Sequence, residues 1–194
     1  MLPDRIFFTG VPGSRWSGIA QTLESIPGFN TSDRTPERTY EHHAYSGHKG
    51  AYFGWRMELE PIILWDGVNN IDSAWTEPGG CQLVKSHNWP DKFAEIEKVF
   101  PNDWIMLVYR PDMASYAWWH EAGGFQIKYP EYKWYKDSNT MLYEITRSNK
   151  QMLEYAYEKN ATWSYFTPAW VEENFGHKVT INNPFTDILV TIIK

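Results

Sequence analysis

Arg5-Ile6-Phe7-Phe8-Thr9-Gly10-Val11-Pro12-Gly13-Ser14-Arg15-Trp16-Ser17 is the stretch from which the fold can be read. Ile6-Phe7-Phe8 runs apolar without alternation, the pattern of a strand buried on both faces in a parallel sheet. Gly10 to Ser14 is a turn cluster, and beyond it Trp16, Ile19, Ala20 and Leu23 recur at helical spacing until Pro27-Gly28 stops the segment. A strand, a glycine-rich loop and a helix therefore follow one another. Such a loop gathers backbone N–H groups and the positive end of a helix dipole around one point, where a phosphate would sit. Gly10 and Ser17 have the spacing of the nucleotide-binding P-loop, but Arg15 and Trp16 stand where that motif has Gly and Lys. Arg15 offers another cation, because a guanidinium fork pairs bidentately with phosphate or sulfate oxygens. An ordinary βα turn, in which Gly and Pro only make the corner, accounts for the same residues equally well.

Further along, the alternation of buried strands and amphipathic helices continues. Cys81–Lys85 reads as a strand, Asp91–Phe100 as a helix with Phe93, Ile96, Val99 and Phe100 on one side, and Trp104–Tyr109 as a third strand. Arg110-Pro111-Asp112 starts another helix, which Gly123-Gly124 ends. Ser138–Asn160 carries Met141, Leu142, Ile145, Met152, Leu153 and Ala156 on a 3.6-residue period and reads as a scaffold helix. Pro168–Phe175 is a short helix closed by Gly176, with strands expected at Val179–Ile181 and Ile188–Ile193. Phe29 to Gly80 has no sustained period and is expected to hold long loops and short elements. The pattern predicts an α/β fold, with a ligand beyond the carboxyl ends of the strands.

With 194 residues the chain has the length of one domain. Eighteen basic residues against 24 acidic give a net charge of −6, which excludes a broad electropositive face for duplex nucleic acid, so any anion must be held locally. The single cysteine, Cys81, can form no intramolecular disulfide, and the chain reads as reduced and cytoplasmic. Apolar runs such as Ile105-Met106-Leu107-Val108 fall far short of the ~20 residues of a membrane span. Met1–Arg5 reads as the approach to a strand and not as a signal peptide.

Two further segments carry chemistry. Gln82-Leu83-Val84-Lys85-Ser86-His87 puts a Lys and a His two residues apart at a strand end, so both side chains face the same way. Met106-Leu107-Val108-Tyr109-Arg110 is a buried strand ending in Arg, and the helix after it has Ser115 one turn in; together Arg110 and Ser115 can clamp a second phosphate. Other candidates read more plainly. Trp118-Trp119 with Tyr116 suits helix-to-sheet packing, and Phe53 and Trp55 suit the core. His120-Glu121 has no second His on its helix face, and His42, His43 and His48 lack matching ligand spacing and read as loop residues.

In this order the three segments resemble the sulfotransferases that use 3′-phosphoadenosine 5′-phosphosulfate (PAPS). Thr9-Gly10-Val11-Pro12-Gly13-Ser14 is similar to that family's 5′-phosphosulfate loop. Lys85-Ser86-His87 is similar to its Lys-Thr-His segment, and Tyr109-Arg110-Pro111-Asp112-Met113-Ala114-Ser115 to its 3′-phosphate segment. The match covers residues 5–26 and 81–119, about a third of the chain. It departs from the family at Gly13, where a Lys or Arg usually follows the Pro, and it lacks the family's C-terminal Arg-Lys-Gly segment.

The resemblance implies a three-layer P-loop-type α/β domain with a mainly parallel central sheet flanked by helices. It implies sulfuryl transfer from PAPS to a hydroxyl or amine of a small-molecule or carbohydrate acceptor, with no metal required. His87 would be the general base, and Lys85 and Arg15 would stabilise developing charge. Gly10, Pro12, Gly13, Ser14, Arg15, Trp16 and Ser17 would hold the 5′-phosphosulfate, and Arg110 and Ser115 the 3′-phosphate. The aromatic stretches Tyr40–Trp75 and Phe125–Tyr135 would line the acceptor groove. An ATP-dependent P-loop kinase acting on a small molecule and a non-catalytic nucleotide-binding protein of the same fold are the rival readings.

Overall fold

A computed structural model of the chain describes residues 2–41, 47–54, 71–127, 136–182 and 185–194. Its centre is a six-stranded sheet in the order β2-β5-β1-β6-β8-β7, from β1 (Arg5–Gly10), β2 (Phe29–Asn30), β5 (Cys81–Lys85), β6 (Trp104–Tyr109), β7 (Ser164–Tyr165) and β8 (Leu189–Ile193). The strands β2, β5, β1 and β6 are parallel, whereas β8 runs antiparallel to β6 and β7 to β8. Mostly parallel pairing requires helical crossovers, and these cover both faces.

The unbroken apolar run of β1 follows from its central place. Ile6 pairs with Leu83 on one side and Trp104 on the other, and Ile6, Phe7 and Phe8 are fully buried. Ile6 and Phe8 face one cluster, filled by Trp16, Ile19 and Leu23 of α1 (Trp16–Leu23). Trp170, Val171 and Phe175 of α5 (Pro168–Phe175) complete it. Phe7 faces the opposite cluster, with Phe93 and Ile96 of α2 (Phe93–Val99), Trp119 of α3 (Asp112–Glu121), and Met141, Ile145 and Met152 of α4 (Ser138–Glu158). Burying a residue of this size is worth roughly 1.5–3 kcal/mol, so the alternation of faces along β1 fixes its register firmly.

Local chemistry sets the helix ends. Asp137 caps α4 by accepting from the Thr140 amide at 2.8 Å, and Thr167 caps α5 by accepting from the Trp170 amide at 3.1 Å, with Pro168 in the first turn. Gly176 ends α5 in the left-handed region.

Two expectations change, and one is filled in. Val179–Ile181 is not a strand: its apolar residues pack on the α1-side cluster as irregular chain, while β8 takes the place beside β6. The helix expected from Asp91 starts only at Phe93, because Pro90 sits in a 3₁₀ turn, Trp89–Asp91. The hairpin β3 (Thr39–Glu41) and β4 (Gly47–Lys49) arises in the stretch without period. Among the described residues no helix is long and apolar enough to cross a membrane.

Candidate functional site

The carboxyl ends of β5, β1 and β6 lie side by side, and the residues following each converge on the loop after β1. Its first half is a tight turn in which the Ser14 amide donates to the Val11 carbonyl at 3.0 Å. Pro12 and Gly13 take the two central positions, Gly13 at φ +79°, as a turn needing positive φ at its third residue requires. A Cβ on Gly13 would lie 1.8 Å from the Ser115 carbonyl oxygen, so the loop backbone rests directly on α3. No side chain has room at this position.

Arg15 then turns the chain into α1 with φ 60° and ψ 19°, a left-handed conformation at the position where the P-loop spacing has Gly. For a residue with a Cβ this costs of order 1–2 kcal/mol. Its guanidinium lies over two rings, 4.9 Å from Trp118 and 4.6 Å from Phe185, contacts of the strength needed to offset that cost. The amides of Trp16 and Ser17 open the helix and have no acceptor within it. The Ser14 hydroxyl, fully buried below the loop, makes no hydrogen bond to another described residue, and neither does that of Thr9.

His87 follows β5 and donates through Nδ1 to the Gly10 carbonyl. A carbonyl can only accept, so this bond fixes the neutral ring as the Nδ1–H tautomer and puts the lone pair on Nε2. The ring is further held by Trp16, 4.5 Å between centroids, and by Tyr52 at 5.5 Å.

Arg110, just past β6, donates Nη1 to the Gly13 carbonyl at 3.0 Å and Nε to Asp187 Oδ2 at 2.7 Å, with Nη2 in an ion pair to the same oxygen at 2.7 Å. Its guanidinium carbon lies 5.6 Å from the Trp118 ring that also receives Arg15. Trp118 is therefore a shelf for two cations, while the expected helix-to-sheet packing is made by Trp119, with Tyr116 packed against the same cluster. Arg15, Ser17, Trp118, Asn182 and Phe185 line a cleft of about 320 Å³ beside the loop.

Two expected site residues lie elsewhere. Lys85 shares the α1 face with His87, but its ammonium is buried against Glu24 Oε1 at 2.5 Å and Asp33 Oδ2 at 3.7 Å, and donates to the Lys49 carbonyl at 3.1 Å. Burial pushes the Asp33 carboxyl above its ordinary value, against the Lys85 charge and the Ala51 amide. Glu24 also holds Arg34 at 2.7 Å, so Lys85, Glu24, Asp33 and Arg34 form one ion network beside the hairpin, and the Lys85 ammonium is turned into it. Ser115 is fully buried and donates its hydroxyl to the Arg110 carbonyl at 3.3 Å, bracing the chain at Arg110.

Of the expected acceptor groove, Phe53 and Trp75 belong to the core, as Phe53 was expected to, and His48 is a buried residue of β4 and not a loop residue. His42, His43, Trp55 and residues 128–135 lie outside the described residues. The sequence reading missed Glu24, Asp33, Tyr52 and Asp187, each brought in from a distant segment without a local motif. Among the described residues no group of His, Cys, Asp or Glu is arranged to hold a metal ion. No family model, curated protein or solved structure matches the chain.

Proposed function

We propose that the chain is a sulfotransferase, moving a sulfuryl group from PAPS to a hydroxyl or amine on a small-molecule or carbohydrate acceptor. One observation carries this reading: an imidazole with its lone pair fixed on Nε2 is fastened to the last residue of the strand that opens into the glycine-rich loop and the first amides of α1. The strand order β5-β1-β6, with the loop and α1 after β1, supports the three-layer P-loop-type arrangement that the reading assumes.

The chemistry balances with groups on the chain. His87 Nε2 takes the acceptor proton as the acceptor oxygen or nitrogen forms a bond to sulfur. In line with it the bond from sulfur to the 5′-phosphate oxygen breaks, and the electron pair leaves on that oxygen as 3′-phosphoadenosine 5′-phosphate (PAP). The first amides of α1 and the Arg15 guanidinium stabilise the charge that develops there. Arg110 reads the 3′-phosphate. A kinase has less support, because Trp16, at the position of the P-loop lysine, is packed on Phe8 at 5.5 Å and on His87.

Calorimetry with PAP, followed by a transfer assay with labelled PAPS over an acceptor panel, tests the reading. Binding of PAP together with transfer is expected. Absence of PAP binding, or tighter binding of magnesium ATP than of PAP, overturns it; PAP binding without transfer to any acceptor leaves a nucleotide-binding protein.

A further inference from the structure

We propose that Asp187 is a specificity-determining residue of this site, an internal anion that occupies Arg110 and that a donor's 3′-phosphate must displace. The inference rests on the donor assignment above but concerns a residue outside every motif that led to it. Asp187 Oδ2 accepts from Nε of Arg110 at 2.7 Å and forms an ion pair with its Nη2 at the same distance, along the edge with which a guanidinium grips an oxyanion. The Arg110 side chain is only 11% exposed, whereas that of Asp187 is 39% exposed. The cation is thus fixed in the fold, by the Gly13 carbonyl and the Trp118 ring, and its carboxylate partner sits at the solvent side.

Asp187 also belongs to the segment that lines the cleft through Asn182 and Phe185. Arg110 lies against the Trp118 ring that lines the cleft, so a ligand reaching past that ring meets Arg110 already paired with Asp187. A nucleotide without a second anionic group binds without disturbing that pair. A nucleotide carrying a 3′-phosphate has to exchange with the carboxylate, and it gains because a phosphate brings more charge and more acceptor oxygens to the same guanidinium. Asp187 therefore sets how strongly the site separates PAP from adenosine monophosphate (AMP), and it does so by weakening PAP.

The test is calorimetry with PAP and AMP on the wild-type chain, Asp187→Asn, Arg110→Ala and the double variant. Asp187→Asn is expected to tighten PAP about fivefold, the scale of a half-exposed ion pair, and to leave AMP unchanged. The gain should vanish when Arg110 is also removed. Equal changes for PAP and AMP, or weaker PAP binding, make Asp187 a brace of the loop and overturn the inference while the donor reading stands. No binding of either nucleotide to any form overturns both. Should Asp187→Asn fail to fold, hydrogen exchange of the wild-type chain decides: PAP but not AMP must speed exchange at 186–188, and unchanged or slowed exchange rejects displacement.

Discussion

Arg15 keeps a left-handed backbone that glycine would adopt at little cost, and its side chain spans the two rings at the mouth of the cleft. The two facts make opposite demands, and one substitution separates them. Arg15→Gly relieves the φ strain, so thermal unfolding is expected at an unchanged or higher temperature, while PAP affinity falls at least about tenfold with the loss of a charged hydrogen-bonding partner. A variant that unfolds earlier would mean that the ring contacts outweigh the strain. His87 is tested in a different way, because its Nδ1 is spent on Gly10 and the proposed proton transfer falls to Nε2. His87→Ala is expected to lower transfer by about 10²–10⁴-fold with PAP affinity nearly unchanged. Retained turnover in single-turnover assays would remove the base from the mechanism.

At the scale of elements, the site depends on how closely the β1–α1 loop lies on α3. Gly13 meets the α3 backbone with no space for a Cβ, and the Arg110 fork ties the Gly13 carbonyl to the end of β6. Gly13→Ala combines a positive φ with a contact against backbone that cannot give way. Loss of more than about 1 kcal/mol in urea unfolding and loss of PAP binding are both expected. A variant of wild-type stability would show that the loop can lift away from α3. The anchor of α4 responds to acid. Burial would raise the Asp91 carboxyl, but hydrogen bonds from Arg147 and Gln151 and the Arg147 charge hold it below the usual carboxylate range. Its folded pKa is thus lower than the unfolded value near 3.9, so the stabilisation is complete above that pH and is lost as the pH falls through the folded value. The pair is part-exposed and is worth about 1 kcal/mol or less. In urea titrations Asp91→Asn should be less stable than wild type at pH 7, and the two should converge below about pH 4; a gap that persists in acid rejects this account.

Across the whole molecule, the ion network of Lys85, Glu24, Asp33 and Arg34 joins α1, β5 and the β3–β4 hairpin beneath the site. Gly50 allows the close approach, since a Cβ there would lie 2.3 Å from Asp33 Oδ2. Removing the one fully buried cation leaves two buried carboxylates short of a partner. Lys85→Met is therefore expected to cost about 3–5 kcal/mol in equilibrium unfolding. Glu24→Gln in the same chain should recover part of that loss. A Lys85→Met protein of wild-type stability with abolished transfer would instead restore Lys85 to the reacting centre.

Residue patterning alone identifies the elements that touch the core, because burial on both faces leaves an apolar run in β1 and burial on one face leaves a 3.6-residue period in α4. It also marked the loop, whose Pro12-Gly13 pair is a local turn signal, and the residue types at Arg15, His87 and Arg110. The partners of those residues come from long-range folding. Lys85 and His87 look equivalent by strand periodicity, yet one meets Glu24 and Asp33 from other segments and the other meets the Gly10 carbonyl. Trp118, Tyr52 and Asp187 carry no local pattern, since the contact that gives each its role is made across the fold, and the energy of a charge depends on the partners and the burial found there.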